Sequence, residues 1–210
     1  MKISVALKSL LTAAALALPV AAFAASNVQS GAGTLNATAS VDFSIVIPKI
    51  LYLRVGTGSA YTTGVYANNA AVDQIVFSPT AAQLGSGTAI AGTGGDLTGG
   101  IETAAIVSNF GNVTLTATAS GALTDAATDT IAFTQITTTP STLTSATALP
   151  APTLANGTSN TVTITAPASK VIVQDAKWTY AYANSAVVPS GTYGGINTNN
   201  SRVVYTASML

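Results

Sequence analysis

Residues 34–47 read TLNATASVDFSIVI, a stretch in which apolar side chains alternate with mostly polar ones. Seven positions on one face are apolar: Leu35, Ala37, Ala39, Val41, Phe43, Ile45 and Ile47. Because successive side chains of a β-strand point to opposite faces, this spacing predicts a long, half-buried strand. Pro48 follows directly and, lacking a backbone N–H group, interrupts the predicted strand.

Shorter strand-like runs follow along the rest of the chain. They lie at residues 51–55, 71–77, 101–107, 113–119, 130–136, 161–165, 171–182 and 202–207. Gly, Pro, Asn and Ser separate them, and beyond residue 24 no stretch shows the period of an amphipathic helix. The glycine-rich residues 84–100 and the Thr/Ser/Ala/Pro-rich residues 137–152 are predicted to be loops. The sequence therefore predicts an all-β fold, an antiparallel immunoglobulin-like β-sandwich.

The first 24 residues have the features of a secretory signal peptide. Lys2 and Lys8 supply a basic start, the apolar stretch from Leu10 to Val20 is too short to span a bilayer, and Ala22-Phe23-Ala24 fits a cleavage site. We therefore expect residues 25–210 to be one exported domain, in the periplasm, at the cell surface or outside the cell. No later run has the length of a membrane helix.

The chain is poor in the side chains that most enzymes use. It contains no histidine and no cysteine, and residues 25–210 carry only five basic and seven acidic side chains, a net charge of about −2. General acids, nucleophiles and metal sites draw mainly on such groups. So few Lys and Arg residues also leave no basic surface for nucleic acid. We expect a protein that is not an enzyme and that uses no cofactor.

Two acidic regions raise the question of calcium. Asp125 and Asp129 lie among threonines, and Asp96 and Glu102 flank glycines. Calcium loops supply six to eight oxygens, usually with a central Gly and a bidentate Glu, and that pattern is missing. A polar hairpin turn is the favoured interpretation of Asp125 and Asp129.

Three aromatic residues near the C-terminus share one face of a predicted strand: Trp178, Tyr180 and Tyr182. Exposed together, they could stack against sugar rings or a partner. Buried together, they would form a ridge of the core, since aromatic side chains contribute large buried areas. The sequence leaves both interpretations open and favours the core.

Two stretches are similar to exported subunits of bacterial surface fibres. One is Gly33–Phe43, and the other is Pro189–Gly195 followed by Arg202–Ser208. Fimbrial subunits often end in a G-x-Y-x-G stretch that leads into a final strand rich in Val, Tyr and Thr. The resemblance implies that a segment within residues 25–47 completes the sandwich of a neighbouring subunit. The chain departs from the family in having no cysteine pair, and Tyr205 is not its penultimate residue.

These observations favour a structural protein, a fimbrial-like or cell-surface subunit that self-associates or joins other surface subunits by strand pairing. A self-complete sandwich that uses its own first strand fits the same pattern. The functional alternative is a monomeric secreted module that binds glycans or envelope components through the three aromatic residues.

Overall fold

The computed structural model describes residues 26–56 and 64–209. The predicted signal peptide and its cleavage site lie outside these ranges. The chain divides into two units, Met1–Ile47 and Pro48–Leu210, and the second contains every strand of the described residues. This boundary falls inside residues 25–210, the region that is predicted to be one domain. That these residues form a single domain remains a prediction. The described ranges include no helix long and apolar enough to cross a membrane.

Twelve strands and one short 3-10 helix make up the regular structure of the described residues. The strands are β1 (Leu51–Val55), β2 (Ile75–Val76), β3 (Ile90–Ala91), β4 (Thr93–Gly94), β5 (Ile101–Ser108), β6 (Val113–Ala119), β7 (Leu123–Thr124), β8 (Thr130–Ile131), β9 (Ile136–Ser141), β10 (Ser159–Ile164), β11 (Ile172–Tyr182) and β12 (Val203–Met209). The 3-10 helix spans Phe133–Gln135. β1, β5, β6, β10, β11 and β12 fall where strands were predicted from the sequence.

Two antiparallel sheets carry these strands. The larger has the order β1-β5-β11-β3, with β9 also paired to β11, and the smaller has the order β10-β6-β12. β2 pairs with β4, and β7 pairs with β8, as separate two-stranded ribbons. β11 is the central strand of the larger sheet, because β5 and β9 both pair with it.

The core lies between the two sheets. Ala104, Ile106 and Trp178 of the larger sheet share one buried cluster with Val113 and Leu115 of the smaller. Each strand contributes every second residue to this cluster, as the burial pattern of β6 shows. The prediction of an all-β, antiparallel fold is confirmed, and the two facing sheets form a sandwich.

Two regions predicted as loops contain strands. The glycine-rich stretch holds β3 and β4, which pair with β11 and β2. The Thr-rich stretch holds β9, and Leu149 beyond it is completely buried. Threonine is enriched in strands, and β3 and β4 are only two residues long, so a Thr-rich or Gly-rich composition did not exclude this pairing.

Candidate assembly surface

The N-terminal segment, residues 34–47, is exposed along its whole length. None of the strands in the described residues includes it, and 89% of Phe43 and 85% of Ile45 are accessible to solvent. The structure therefore differs from the expectation of a half-buried strand. A strand becomes half-buried only when a sheet accepts it, and the described sheets of this chain do not contain residues 34–47.

The exposed residues of this segment include large apolar side chains. Val41, Phe43, Ile45 and Ile47 keep the spacing of one strand face, and Leu35, Ala37 and Ala39 are exposed as well. Fully burying a large apolar side chain is worth about 1.5–3 kcal/mol. Exposed apolar rows of this kind mark interaction surfaces. Burial of these side chains against a partner would therefore be energetically favourable.

The sandwich offers five edge strands in the described residues. β1, β9 and the two-residue β3 border the larger sheet, and β10 and β12 border the smaller. On the β9 side, Pro140 removes one backbone donor and Leu154 fills the space beside the core. There, Asn160 of β10 donates a hydrogen bond to the carbonyl oxygen of Thr153 at 3.0 Å. Residues 151–155 of the same chain thus lie beside this edge and line a cavity together with β9 and Asn160.

The opposite side, between β1 and β12, is less well covered. The core-facing side chains of β12 are all only half-buried: Val203, Tyr205, Ala207 and Met209. Those of β1 that face them are half-buried as well: Leu51, Leu53 and Val55. β12 carries no charged residue, although charged side chains are a common protection of free edges. No strand of residues 26–56 and 64–209 pairs with the outer edge of β12, so this edge can accept an additional strand.

The three aromatic residues of β11 lie inside the sandwich. Trp178 is 0% exposed and Tyr180 and Tyr182 are each 7% exposed. Trp178 Nε1 donates a hydrogen bond to the carbonyl oxygen of Leu149 at 2.8 Å. The binding-module interpretation requires these rings to be exposed together, and their burial contradicts that requirement. Trp178 and Tyr180 belong to the core cluster, as the other interpretation predicted, and Tyr182 is buried at the end of β11 beside Phe77.

Tyr205 connects this ridge to the edge strand β12. Its ring centroid lies 5.3 Å from that of Trp178, and its hydroxyl group is 2.9 Å from that of Tyr180. Burial raises the pKa of Tyr205 to about 12 and raises that of Tyr180 well above its ordinary value. Both phenols therefore stay neutral at physiological pH, and β12 is anchored on its inner face while its outer edge stays open.

Asp125 serves the hairpin between β7 and β8. Its Oδ1 accepts backbone hydrogen bonds from Ala127 at 2.9 Å and Asp129 at 2.8 Å. This is the arrangement of an Asx turn, in which the carboxylate satisfies the donors of the loop. The geometry supports the polar-turn interpretation of this pair. Within residues 26–56 and 64–209, no group of three or more Asp or Glu side chains is arranged to hold a metal ion.

A buried polar cluster at the start of β5 was not predicted from the sequence. Arg54 Nη2 lies 3.1 Å from Asp96 Oδ2, and Asp96 Oδ1 accepts a hydrogen bond from the backbone N–H of Thr103 at 2.7 Å. Glu102 Oε2 accepts a hydrogen bond from the backbone N–H of Asp96 at 3.3 Å. The sequence signal for this cluster is the small number of charged residues in the chain. A charged side chain that is buried needs a specific partner.

Comparison of the chain with protein-family models, with curated proteins and with solved structures found no match. Its function must therefore be inferred from the chemistry and geometry of its own residues.

Proposed function

We propose that the chain is an exported structural subunit that associates with copies of itself, and that residues 41–47 of one copy add as a strand to the free edge of β12 in the next. The observation that carries the proposal is the exposed row of Val41, Phe43, Ile45 and Ile47. In water such a row favours association, and its spacing fits only one face of a strand.

The donor segment and the acceptor edge have matching patterns. Residues 41–47 read VDFSIVI and β12 reads VVYTASM, and both place apolar or aromatic residues at the first, third, fifth and seventh positions. Paired side by side, the two strands would turn these residues toward the core and would continue the smaller sheet beneath β1. Burial of the row then adds to new backbone hydrogen bonds along the edge.

Charge does not oppose the contact. Asp42 is the only charged residue of the donor segment, and it has the parity of the outward face. Residues 25–210 have a net charge of about −2, so long-range repulsion between copies is small. The signal-like residues 1–24 and the resemblance to fibre subunits support the exported, structural part of the proposal.

The first test replaces apolar residues of the donor row with charges. We expect the purified protein to form filaments or large oligomers in negative-stain microscopy and size-exclusion chromatography. The double variant Phe43→Asp/Ile45→Asp should be a monomer, because burying two carboxylates is prohibitive. The matched control Ser44→Asp changes an outward position and should still assemble. Far-UV circular dichroism checks that both variants keep the sandwich.

Two outcomes would contradict the proposal. One is a wild-type protein that stays monomeric at every concentration. The other is undiminished assembly of the double variant, which would show that residues 41–47 are not the donor.

The second test identifies the acceptor edge. Ser44 and Thr206 are the central outward residues of the two segments, so they face each other whether the strands run parallel or antiparallel. Because the chain has no cysteine, Ser44→Cys/Thr206→Cys should give a reducible ladder of covalently linked copies after oxidation. The control Ser44→Cys/Thr163→Cys moves the second cysteine to the outward face of β10. A ladder only with Thr163→Cys would assign the acceptor to β10 and overturn the choice of β12.

A further inference from the structure

Two carboxyl groups meet where β1 ends and the chain approaches β2. Glu102 of β5 is 5% exposed, and its side chain is hydrogen-bonded to that of Asp73. Both groups lie against Gly56, the residue after β1, which has a φ of +66°. A Cβ atom at that position would overlap an oxygen of each carboxyl group, so glycine makes room for the pair.

A hydrogen bond between two carboxyl groups requires one proton. Two ionised carboxylates in contact repel each other, so one of them keeps its proton over an extended pH range. Burial raises the pKa of Glu102 to about 8, against an opposing backbone hydrogen bond from Asp96, and the charges of Asp73 and Asp96 raise it further. At neutral pH Glu102 is therefore mainly the protonated partner, and it donates to Asp73.

The charged and titratable groups on neighbouring strands are compatible with a proton shared by Glu102 and Asp73. The guanidinium of Arg54 on β1 binds Asp96 at 3.1 Å and the carbonyl oxygen of Gly56 at 3.0 Å. Tyr180 of β11 and Tyr205 of β12 interact electrostatically with Glu102, and burial holds the pKa values of both phenols above their ordinary range. Among the described residues, the charged and titratable groups around Glu102 are thus the ion pair of Arg54 and Asp96, the carboxyl group of Asp73 and two neutral phenols.

The segment that Asp73 belongs to contains one very short strand. β2 is only two residues long and pairs with β4. Ile75 and Phe77 pack against the core while remaining half-buried. The hydrogen bond from Glu102 adds a polar attachment to β5, beside the contact of the Phe77 ring with that of Tyr182 in β11 at 6.3 Å.

We propose that Glu102 and Asp73 form a proton-dependent latch, which fastens residues 73–77 to the start of β5 and releases them when the shared proton is lost. The latch is independent of the proposed self-association, because it uses different residues and operates within one copy.

The direction of the pH response follows from the two states of Glu102. With the latch closed its pKa is about 8, and in an open, solvated state it returns toward the ordinary value of 4.5. Opening therefore releases a proton, and it becomes easier as the pH rises from about 4.5 to about 8 and levels off above that.

The test is amide hydrogen exchange of residues 73–77 at pH 5.5 and pH 8.5, in the wild type and in Glu102→Gln. Glutamine can donate to Asp73 at every pH, so this variant keeps the latch without its titration. The ratio of wild-type to variant exchange rates at one pH removes the intrinsic pH dependence of exchange. We expect that ratio to rise at least about tenfold between the two pH values, because the opening constant can change by up to about tenfold per pH unit in this range.

The control Asp42→Asn removes a carboxylate far along the sequence and should respond to pH as the wild type does. If Glu102→Gln does not fold, the wild-type rates are divided by those of an unstructured peptide of residues 71–79. A wild-type ratio that does not change with pH, or a Glu102→Gln protein with the same pH response as the wild type, would overturn the proposal.

Discussion

Two long alternating stretches of this chain differ in burial and in strand pairing. Residues 172–182 form β11, with β5 on one side and β9 on the other, and Trp178 at its centre is completely buried. Residues 35–47 show the same alternation and are exposed without a strand partner in the described residues. Alternation thus predicts the capacity to form a strand, and the partner decides whether the strand is buried.

The two stretches also differ in their polar contacts. β11 holds Asp175, Trp178 and Tyr180, each with a hydrogen-bond partner in another part of the sandwich. The row from Leu35 to Ile47 has only aliphatic and phenylalanine side chains on its apolar face. A strand that is built into its own fold has specific polar attachments, whereas an apolar row without them suits an edge of another copy.

The largest effect is expected from a substitution in β11, the buried stretch. Trp178→Ala should lower the free energy of unfolding by about 3–5 kcal/mol, because it leaves a cavity and an unpaired carbonyl oxygen at Leu149. In the dilute monomer Phe43→Ala should change it by less than about 0.5 kcal/mol, since the ring is exposed. Urea denaturation of both variants measures this. A similar loss in both would show that Phe43 packs within its own chain.

A smaller effect concerns Asp175, which is 1% exposed and accepts hydrogen bonds from the backbone N–H groups of Thr144 and Ser145 at 2.9 and 2.8 Å. Burial alone would raise the pKa of Asp175, but these bonds and that of the Thr144 hydroxyl outweigh burial and hold the pKa below 3.8. This stabilisation is present above pH 3.8 and is lost as the pH falls through the lower folded-state pKa.

Asp175→Asn should therefore cost about 1–3 kcal/mol at pH 7. It should also flatten the acid side of the stability profile, measured by thermal unfolding between pH 2 and pH 7. An unchanged acid dependence in the variant would assign that dependence to other carboxylates.

The smallest effect is expected from a substitution of Tyr205 in the edge strand β12. Tyr205→Phe removes one member of the hydroxyl pair with Tyr180, and we expect a loss of about 0.5–1.5 kcal/mol in the free energy of unfolding. Assembly should persist, because the outer edge of β12 keeps its backbone groups. Chemical denaturation and chromatography of the same sample separate the two readouts, and loss of assembly in a folded variant would place Tyr205 in the contact itself.

Much of the fold could be predicted from the sequence. Alternation located β1, β5, β6, β10, β11 and β12, and the favoured interpretation of Trp178, Tyr180 and Tyr182 as a core ridge agrees with their burial. The candidate assembly row was also readable, because its spacing is local. Such features depend on neighbours in the sequence, which a strand's period of two makes visible.

The remaining features depend on contacts between distant residues. β9 forms in a Thr-rich stretch because β11 offers it an edge, and Leu149 is buried because Trp178 lies beneath it. The pair of Glu102 and Asp73 joins residues that neither periodicity nor spacing connects. Pairing across the fold cannot be read from local pattern, so these elements required the structure.

The central pairing of β5 with β11 has a consequence for the order in which the protein can fold. Ser108 and Ile172 are partners, and the chain between them carries β6 to β10. The larger sheet cannot close until β11 has been synthesised, and folds dominated by such distant pairings form in milliseconds to seconds. Residues 41–47, the proposed donor segment, are synthesised before β11 and before β12, the proposed acceptor. Stopped-flow refolding followed by Trp178 fluorescence would measure the time that the larger sheet takes to form. A microsecond phase with full amplitude would contradict the expectation of slow folding.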